Sequence, residues 1–246
     1  MEPALYLIPV TLGDTPHSQV LPDYNTEIIR NIRHFIVEDL RSARRFLKKV
    51  DRDINIDELT FYAMGKHASP EAFASYLHPL EQGMSVGVIS EAGCPAVADP
   101  GAVTGRGWPP RGADVVAIAQ RKGLRVIPLV GPSSMILAVM ASGFNGQSFA
   151  FNGYLPIDPA ERTKRIKMLE QRVYTEHQTQ LFIETPYRNA KMFEEILRTC
   201  RPQTRLCVAG GITCKEEYIR TRTVQEWKKH FLPDLSKVPA IFLIYK

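Results

Sequence analysis

Residues 4–10, Ala-Leu-Tyr-Leu-Ile-Pro-Val (ALYLIPV), form an uncharged run of bulky apolar side chains. Closed by Pro9 and followed by Thr11-Leu-Gly13-Asp14, the run reads as a buried strand leading into a tight loop. The same texture recurs at Phe35–Val37, Leu59–Ala63, Val86–Ile89 and Arg125–Leu129. Helix-length stretches separate these runs at Asn25–Arg33, Ser42–Val50, Pro70–Glu81 and Asp114–Lys122. Within Ser42–Val50, Ala43, Phe46, Leu47 and Val50 recur at the spacing of one buried helical stripe. Pro70 suits a first helical turn, where its missing N–H would have no partner. Strand–helix alternation predicts an α/β domain with a mostly parallel sheet covered on both faces.

After Gly143 the pattern changes. Ser148–Tyr154 alternates like a half-exposed strand, and Pro159–Gln171 reads as a basic helix. Strands are expected at Leu181–Ile183, Leu206–Ala209, Tyr218–Thr221 and Ala240–Tyr245, with a helix near Asn189–Cys200. Several strands with few helices predict a second, mixed α+β domain. The expected division is therefore residues 1–143 and 144–246.

The chain has 246 residues, ample for a core without disulfides or metal. Its 31 Lys+Arg against 26 Asp+Glu leave a net charge of +5, and 44% hydrophobic content is ordinary for a globular protein. Met1-Glu2-Pro3 lacks the basic start of a signal peptide. Residues 126–157 carry no charge, but Pro128, Gly131, Pro132, Gly143 and Gly146 interrupt the tract too often for a membrane span. A cytoplasmic location is expected, with Cys94, Cys200, Cys207 and Cys214 as reduced thiols. No CxxC or HExxH spacing occurs, so no metal site is expected. Val103–Ala113 (VTGRGWPPRGA) holds two adjacent prolines and several glycines, and reads as a surface loop inserted before a helix.

In a doubly wound sheet, ligands bind beyond the carboxyl ends of the strands. Four loops of small residues fall at such positions: Pro9–Asp14, Ser90–Pro95, Gly131–Ser134 and Glu184–Arg188. Such loops let a ligand approach the backbone, and Ser133-Ser134 stands before the apolar helix Met135–Ala141. Neither GxGxxG after the first strand nor GxxxxGK[ST] is present, which argues against dinucleotide and nucleoside triphosphate sites.

Taken together, Leu5–Asp14, Glu38–Leu47, Ser90–Gly101, Pro128–Ser134 and Glu184–Arg188 resemble, in order, motifs of the ribosomal RNA small-subunit methyltransferase I family. That family belongs to the tetrapyrrole-methylase-like, class III S-adenosylmethionine methyltransferases. The resemblance implies a two-domain tetrapyrrole-methylase-like fold, a homodimer, and S-adenosylmethionine bound in the cleft between domains. It also implies cofactor contacts from Pro9, Thr11, Gly13, Ser90, Glu91, Ala92, Gly93, Ser133 and Ser134, joined by Glu184 and Ile212. Departures from the family pattern occur at Leu40, Glu91, Cys94 and Tyr187, and Gly210-Gly211 replaces a charged pair. The chain ends after its final strand, where the longer ribosomal enzymes continue.

Methyl transfer is an in-line displacement that depends on positioning, and a ribose hydroxyl profits from a base or a charge-stabilising group. Asp39, Arg41, Glu184 and Arg188 are the candidate catalytic residues; an ion-pair set explains them equally well. Within Arg162–Arg172, Arg162, Lys164, Arg165, Lys167 and Arg172 stand against Glu170 alone, and Phe149, Phe151 and Tyr154 precede this basic stretch. That combination is expected to meet RNA, or else to be a solvated helix beside buried aromatics. The reading that follows is methylation of a ribose 2′-hydroxyl in small-subunit ribosomal RNA. Methylation of a tetrapyrrole-like or other small metabolite, and a catalytically inactive ribosome-associated protein, are the alternatives.

Overall fold

The computed structural model describes residues 2–64, 70–98 and 112–246. They divide into two compact units, 1–133 and 134–246.

The first unit contains β1 (Leu5–Ile8), α1 (Asp23–Arg30), β2 (His34–Val37), α2 (Leu40–Val50), β3 (Thr60–Ala63), α3 (Pro70–Tyr76), α4 (His78–Glu81), β4 (Val86–Ile89), α5 (Gly112–Arg121) and β5 (Val126–Pro128). The five strands pair in the order β3-β2-β4-β1-β5, all parallel. Chain reversal about β4 and β1 sends helices to both faces of the sheet. Ile28 and Ile29 of α1, with Ala43, Phe46, Leu47 and Val50 of α2, pack with Tyr6, Ile8, Phe35 and Val37 on one face. Phe73, Leu77 and Leu80, with Val115, Ile118 and Ala119 of α5, pack with Leu5, Ile36, Val86 and Val88 on the other. The stripe expected on α2 is the one that is buried; each such side chain contributes about 1.5–3 kcal/mol.

The expected helix over Pro70–Glu81 is two helices, interrupted at Leu77. Pro79 has no N–H with which to continue the hydrogen-bond ladder. Helix α5 begins at Gly112 and not at Asp114, so the last two residues of the inserted segment Val103–Ala113 are helical. The rest of that segment, and Asp99-Pro-Gly101 before it, lie outside the described residues.

The second unit contains α6 (Ser134–Ser142), β6 (Phe149–Tyr154), α7 (Pro159–Glu176), β7 (Thr179–Glu184), α8 (Asn189–Thr199), β8 (Arg205–Gly210), β9 (Tyr218–Thr223), α9 (Val224–Trp227) and β10 (Ala240–Tyr245). Its sheet runs β6-β7-β10-β8-β9, with β6 parallel to β7 and every other pair antiparallel. Helices α7, α8 and α9 cover one face through Ile166, Leu169, Val173, Phe193, Ile196 and Trp227, against Phe182, Val208 and Phe242. Helix α6 lies against β8, β9 and β10, and its Ser142 carbonyl accepts the Thr221 hydroxyl at 2.8 Å. The division consequently falls ahead of α6, whereas the sequence placed it at 143/144. A uniformly apolar helix gives no indication of which sheet it will cover.

Among the described residues no helix is long and apolar enough to cross a membrane, and no cluster of His, Cys, Asp and Glu could hold a metal ion. Cys94, Cys200 and Cys207 are free thiols; burial, reinforced by Glu170, pushes the Cys200 thiol far up, so it stays protonated.

The basic helix is less basic at its surface than its sequence. Arg162 is buried, its Nε donating to Glu195 Oε2 at 2.6 Å and its Nη1 to the Ile157 carbonyl at 2.9 Å. Thr163 Oγ1 donates to the other Glu195 oxygen at 2.8 Å. Arg172 pairs with Glu176 one turn on, and Arg165 is hydrogen-bonded to Asn152. Three of the five cations counted toward RNA thus have partners inside the unit. Removing one member of the buried pair strands the other charge, so Arg162→Leu is expected to cost about 3–5 kcal/mol in urea unfolding; a loss under about 1 kcal/mol would show the pair to be solvated.

Candidate functional site

In the first unit the register sets the stage. Ile8 pairs with Ile89, and Ile89 with Val37, so β1, β4 and β2 end level. Pro9, Ser90 and Glu38 therefore leave the sheet side by side. Strand β5 is aligned with them by the Leu129 N–H, which donates to the Leu7 carbonyl at 2.9 Å.

Three of these loops are joined by short contacts. The Val10 N–H donates to the Gly93 carbonyl at 2.9 Å. Gly93 takes φ +68°, and a Cβ there would lie 3.2 Å from Leu12. Gly131 lies against Pro9 so closely that a Cβ would come within 2.3 Å of the proline ring. The Cys94 thiol points to the Pro132 carbonyl at 3.5 Å. Ala96 and Ala98 also take positive φ, 66° and 56°, a conformation that costs a non-glycine residue about 1–3 kcal/mol.

The structure brings Pro9, Ser90 and Gly93 together as buried or nearly buried residues, with Glu91 and Ala92 exposed beside them. Thr11 and Gly13 are joined to each other, the Thr11 hydroxyl donating to the Gly13 carbonyl at 2.8 Å. Ser133 is half-buried just before α6, and Ser134 is the first residue of that helix. Asp39 Oδ1 accepts the Ser42 N–H at 2.7 Å and caps α2. That bond, helped by Arg45, holds the Asp39 carboxyl below its ordinary range. Arg41 is exposed on the first turn of α2.

Two residues of this unit escaped the sequence reading. Glu38 Oε2 accepts the Glu91 N–H at 3.0 Å and so steadies the β4 loop. Asn25, buried on α1, donates through Nδ2 to the Val130 carbonyl at 2.8 Å, while its Oδ1 has no hydrogen-bond partner among the described residues. A polar residue on the inner side of an amphipathic helix was the available signal.

In the second unit Glu184 ends β7, level with Ala240 of β10 and Gly210 of β8. It is buried, and its Oε1 accepts from the Thr185 N–H at 2.7 Å, the Thr185 hydroxyl at 3.2 Å and Arg188 Nη2 at 2.7 Å. Burial and the Glu184 charge push the Tyr154 phenol up, opposed by Arg188. Tyr187 stands 74% exposed with the Arg188 guanidinium 5.7 Å from its ring centre. Ile212 is buried in the turn after β8, where the Gly211 N–H donates to the Pro239 carbonyl at 3.0 Å. Gly211 has φ +58°, and a Cβ there would lie 3.1 Å from both the Glu216 carbonyl and Val238. At Gly210 a Cβ would lie 3.1 Å from Leu235. The packed segment after α9 thus occupies the space that a charged pair would need.

No protein-family model matches the chain. It is similar to "Ribosomal RNA small subunit methyltransferase I" of Mesorhizobium japonicum, with 28% identity over 234 residues, covering 94% of this chain and 71% of that protein. The Vibrio cholerae protein of the same name is 26% identical, covering 91% and 70%. These relatives bear out the resemblance carried by the motifs. Among solved structures, the methyltransferase CobJ superposes with a TM-score of 0.59 at 13% identity, covering 99% of this chain and 94% of that one. Uroporphyrin-III C-methyl transferase from Thermus thermophilus, complexed with S-adenyl homocysteine, gives a TM-score of 0.54 at 16% identity, covering 99% and 97%. The expected tetrapyrrole-methylase-like α/β architecture is the one observed.

Two consequences are measurable. Gly211→Ala is expected to lose about 1–2 kcal/mol through its left-handed backbone alone, and unchanged urea stability would show that the turn relaxes freely. Asp39 has a folded pKa below its unfolded value, so its contribution is present above about pH 4 and is lost as pH falls through the depressed value. The Tm difference between the parent and Asp39→Ala should therefore be full at pH 6 and narrow in acid; a gap that stays constant to pH 2 would contradict the capping role.

Proposed function

We propose that this chain is an S-adenosylmethionine-dependent methyltransferase that modifies a ribose 2′-hydroxyl of small-subunit ribosomal RNA, acting in the cytoplasm as a homodimer. The observation that carries the reading is the knitted edge of β1, β4 and β5. There Val10 is bonded to Gly93, and Gly131 is pressed on Pro9. The names of the relatives supply the reaction and the RNA. The structural neighbours, at 13% and 16% identity, support the fold alone, so the basic balance and the relatives favour RNA over a tetrapyrrole.

The residues present fit the cofactor. Residues 9–14, 90–98 and 129–133 include Asp14 and Glu91 but no Lys or Arg, so these loops carry no charge that would repel a sulfonium. Small side chains leave the backbone within reach of an adenosine, and Asn25 Oδ1 is a buried acceptor beneath the same loops. Pro9, Thr11, Gly13, Ser90, Glu91, Ala92, Gly93, Ser133 and Ser134 are the proposed holding residues, with Glu184 and Ile212 from the second unit. When bound, S-adenosylmethionine supplies a methyl group on a positively charged leaving sulfur.

What the protein contributes is position and charge. Glu184 Oε1 is already the acceptor of three hydrogen bonds, one of them from an arginine, so it is engaged within its own turn. Its proposed role is to hold Arg188 and the Thr185–Arg188 turn in place for the acceptor nucleotide. Arg188 neutralises charge that develops on the acceptor oxygen as the hydroxyl proton passes to solvent water. Asp39 and Arg41 are retained as candidates on the first unit, Arg41 being the more available because the Asp39 carboxylate caps a helix.

The test is calorimetric titration with S-adenosylhomocysteine, followed by transfer of labelled methyl to small ribosomal subunits lacking the modification. Micromolar-class binding, on the order of −8 kcal/mol, and alkali-resistant label in the small-subunit RNA are expected. Label in a base, or in protein only, would overturn the ribose assignment. Glu184→Gln, which keeps a side-chain oxygen for the cofactor but loses the charge that holds Arg188, should keep S-adenosylhomocysteine affinity within about threefold while reducing turnover at least tenfold, which is about 1.4 kcal/mol in the barrier; unimpaired turnover would remove Glu184 from the mechanism.

A further inference from the structure

Phe231 is 98% exposed, the most exposed large apolar side chain among the described residues. It stands in a loop that is anchored on both sides. Before it, Trp227 is fully buried, donates Nε1–H to the Leu206 carbonyl at 2.8 Å and meets Phe193 edge-on at 5.2 Å. Backbone bonds from Lys228, Lys229 and His230 to Val224, Glu226 and Trp227 continue the helical turn up to the phenylalanine. After it, Leu235 is buried, and Asn189 Nδ2 donates to the carbonyls of Leu235 and Val238 at 3.0 and 2.9 Å. The loop that carries the exposed ring is thus tied to the core on both sides.

The charge near the ring along the chain is predominantly positive. Arg220, Arg222, Lys228, Lys229 and Lys237 lie in residues 220–237, with Glu226 and Asp234 as the only carboxylates. Both carboxylates serve the backbone: Glu226 accepts the Thr223 N–H in a capping box, and Asp234 accepts the Ser236 N–H. Those bonds, with Arg222 and His230 beside Glu226 and Lys237 beside Asp234, hold both carboxyls below their ordinary range. Lys228, Lys229 and His230 are exposed. An aromatic face flanked by cations is the chemistry that takes an unstacked base and its neighbouring phosphates.

We infer that the turn Lys228–Phe231 is a docking surface for single-stranded RNA, Phe231 stacking one base while Lys228 and Lys229 meet the adjoining phosphates. It deepens the reading of an RNA substrate and rests on it for its biological context, yet it concerns residues outside the proposed cofactor and catalytic groups. It is separate from α7, where Arg162 is buried against Glu195 and Arg165 and Arg172 have partners within the unit.

The experiment is fluorescence anisotropy with a labelled single-stranded RNA dodecamer, run between 50 and 200 mM salt. Phe231→Ala should weaken binding about five- to a hundredfold with Tm unchanged, and Phe231→Trp should restore it. Lys228→Gln/Lys229→Gln should flatten the slope of log affinity against log salt by about 1.4. Binding by Phe231→Ala equal to that of the parent, or no binding by the parent, overturns the proposal. So does Phe231-dependent capture by phosphatidylserine vesicles with RNA affinity unaltered, which would reassign the surface to a membrane. Methyl transfer measured in parallel separates the two readings: RNA binding that needs Phe231 in a protein that transfers no methyl group sinks the enzymatic reading alone. Methyl transfer alongside RNA binding that ignores Phe231 sinks this surface alone.

Discussion

A five-stranded parallel sheet covered by helices on both faces leaves its strand ends as the one place where the backbone of the sheet can meet a ligand. In the first unit Ile8, Ile89 and Val37 end in register, so three loops leave the same edge together. A slip of one residue in any strand would turn its side chains to the wrong face and move its loop by about 3.3 Å. The hydrophobic packing of α1, α2 and α5 is therefore also what fixes the loops. Gly131 against Pro9 then tolerates no side chain, and the Val10–Gly93 hydrogen bond closes the edge.

The second unit obeys a different logic. Its mixed sheet is covered on one face by α7, α8 and α9 and contacted by α6, and its buried charges are paired. Arg162 with Glu195, and Glu170 with the Arg201 N–H and the Thr204 hydroxyl, show buried charge compensated by a nearby partner. Glu184 with Arg188 uses the same device at the end of a strand. Buried ion pairs of this kind contribute less to net stability than to holding one arrangement. That is the property a positioning residue needs.

The segment carrying Leu235 and Val238 packs closely on the β8 turn, so that a Cβ at Gly210 would press on Leu235 and one at Gly211 on Val238, each at 3.1 Å. The left-handed backbone of Gly211 adds a second reason for glycine at that position. The loop that makes this contact is also the one that carries Phe231.

Most of the element map could be read from periodicity. The apolar stripe of Ser42–Val50, the strand ALYLIPV and the loops after β1, β4 and β5 all lie where the residues predict, because burial and turn chemistry are local properties of a sequence. The capping box Thr223-x-x-Glu226 and its helix were passed over, because so short a helix gives little periodic signal. What the tertiary structure alone decided is who meets whom. Nothing in the composition of α7 distinguishes Arg162, matched to Glu195 across 33 residues, from its solvated neighbours. Nor does an apolar α6 reveal that it packs on β8, β9 and β10, or an Asn on α1 that it braces Val130. Patterns at helical or strand spacing record which face is buried; the partner on that face is set by the path of the whole chain, which no local window contains.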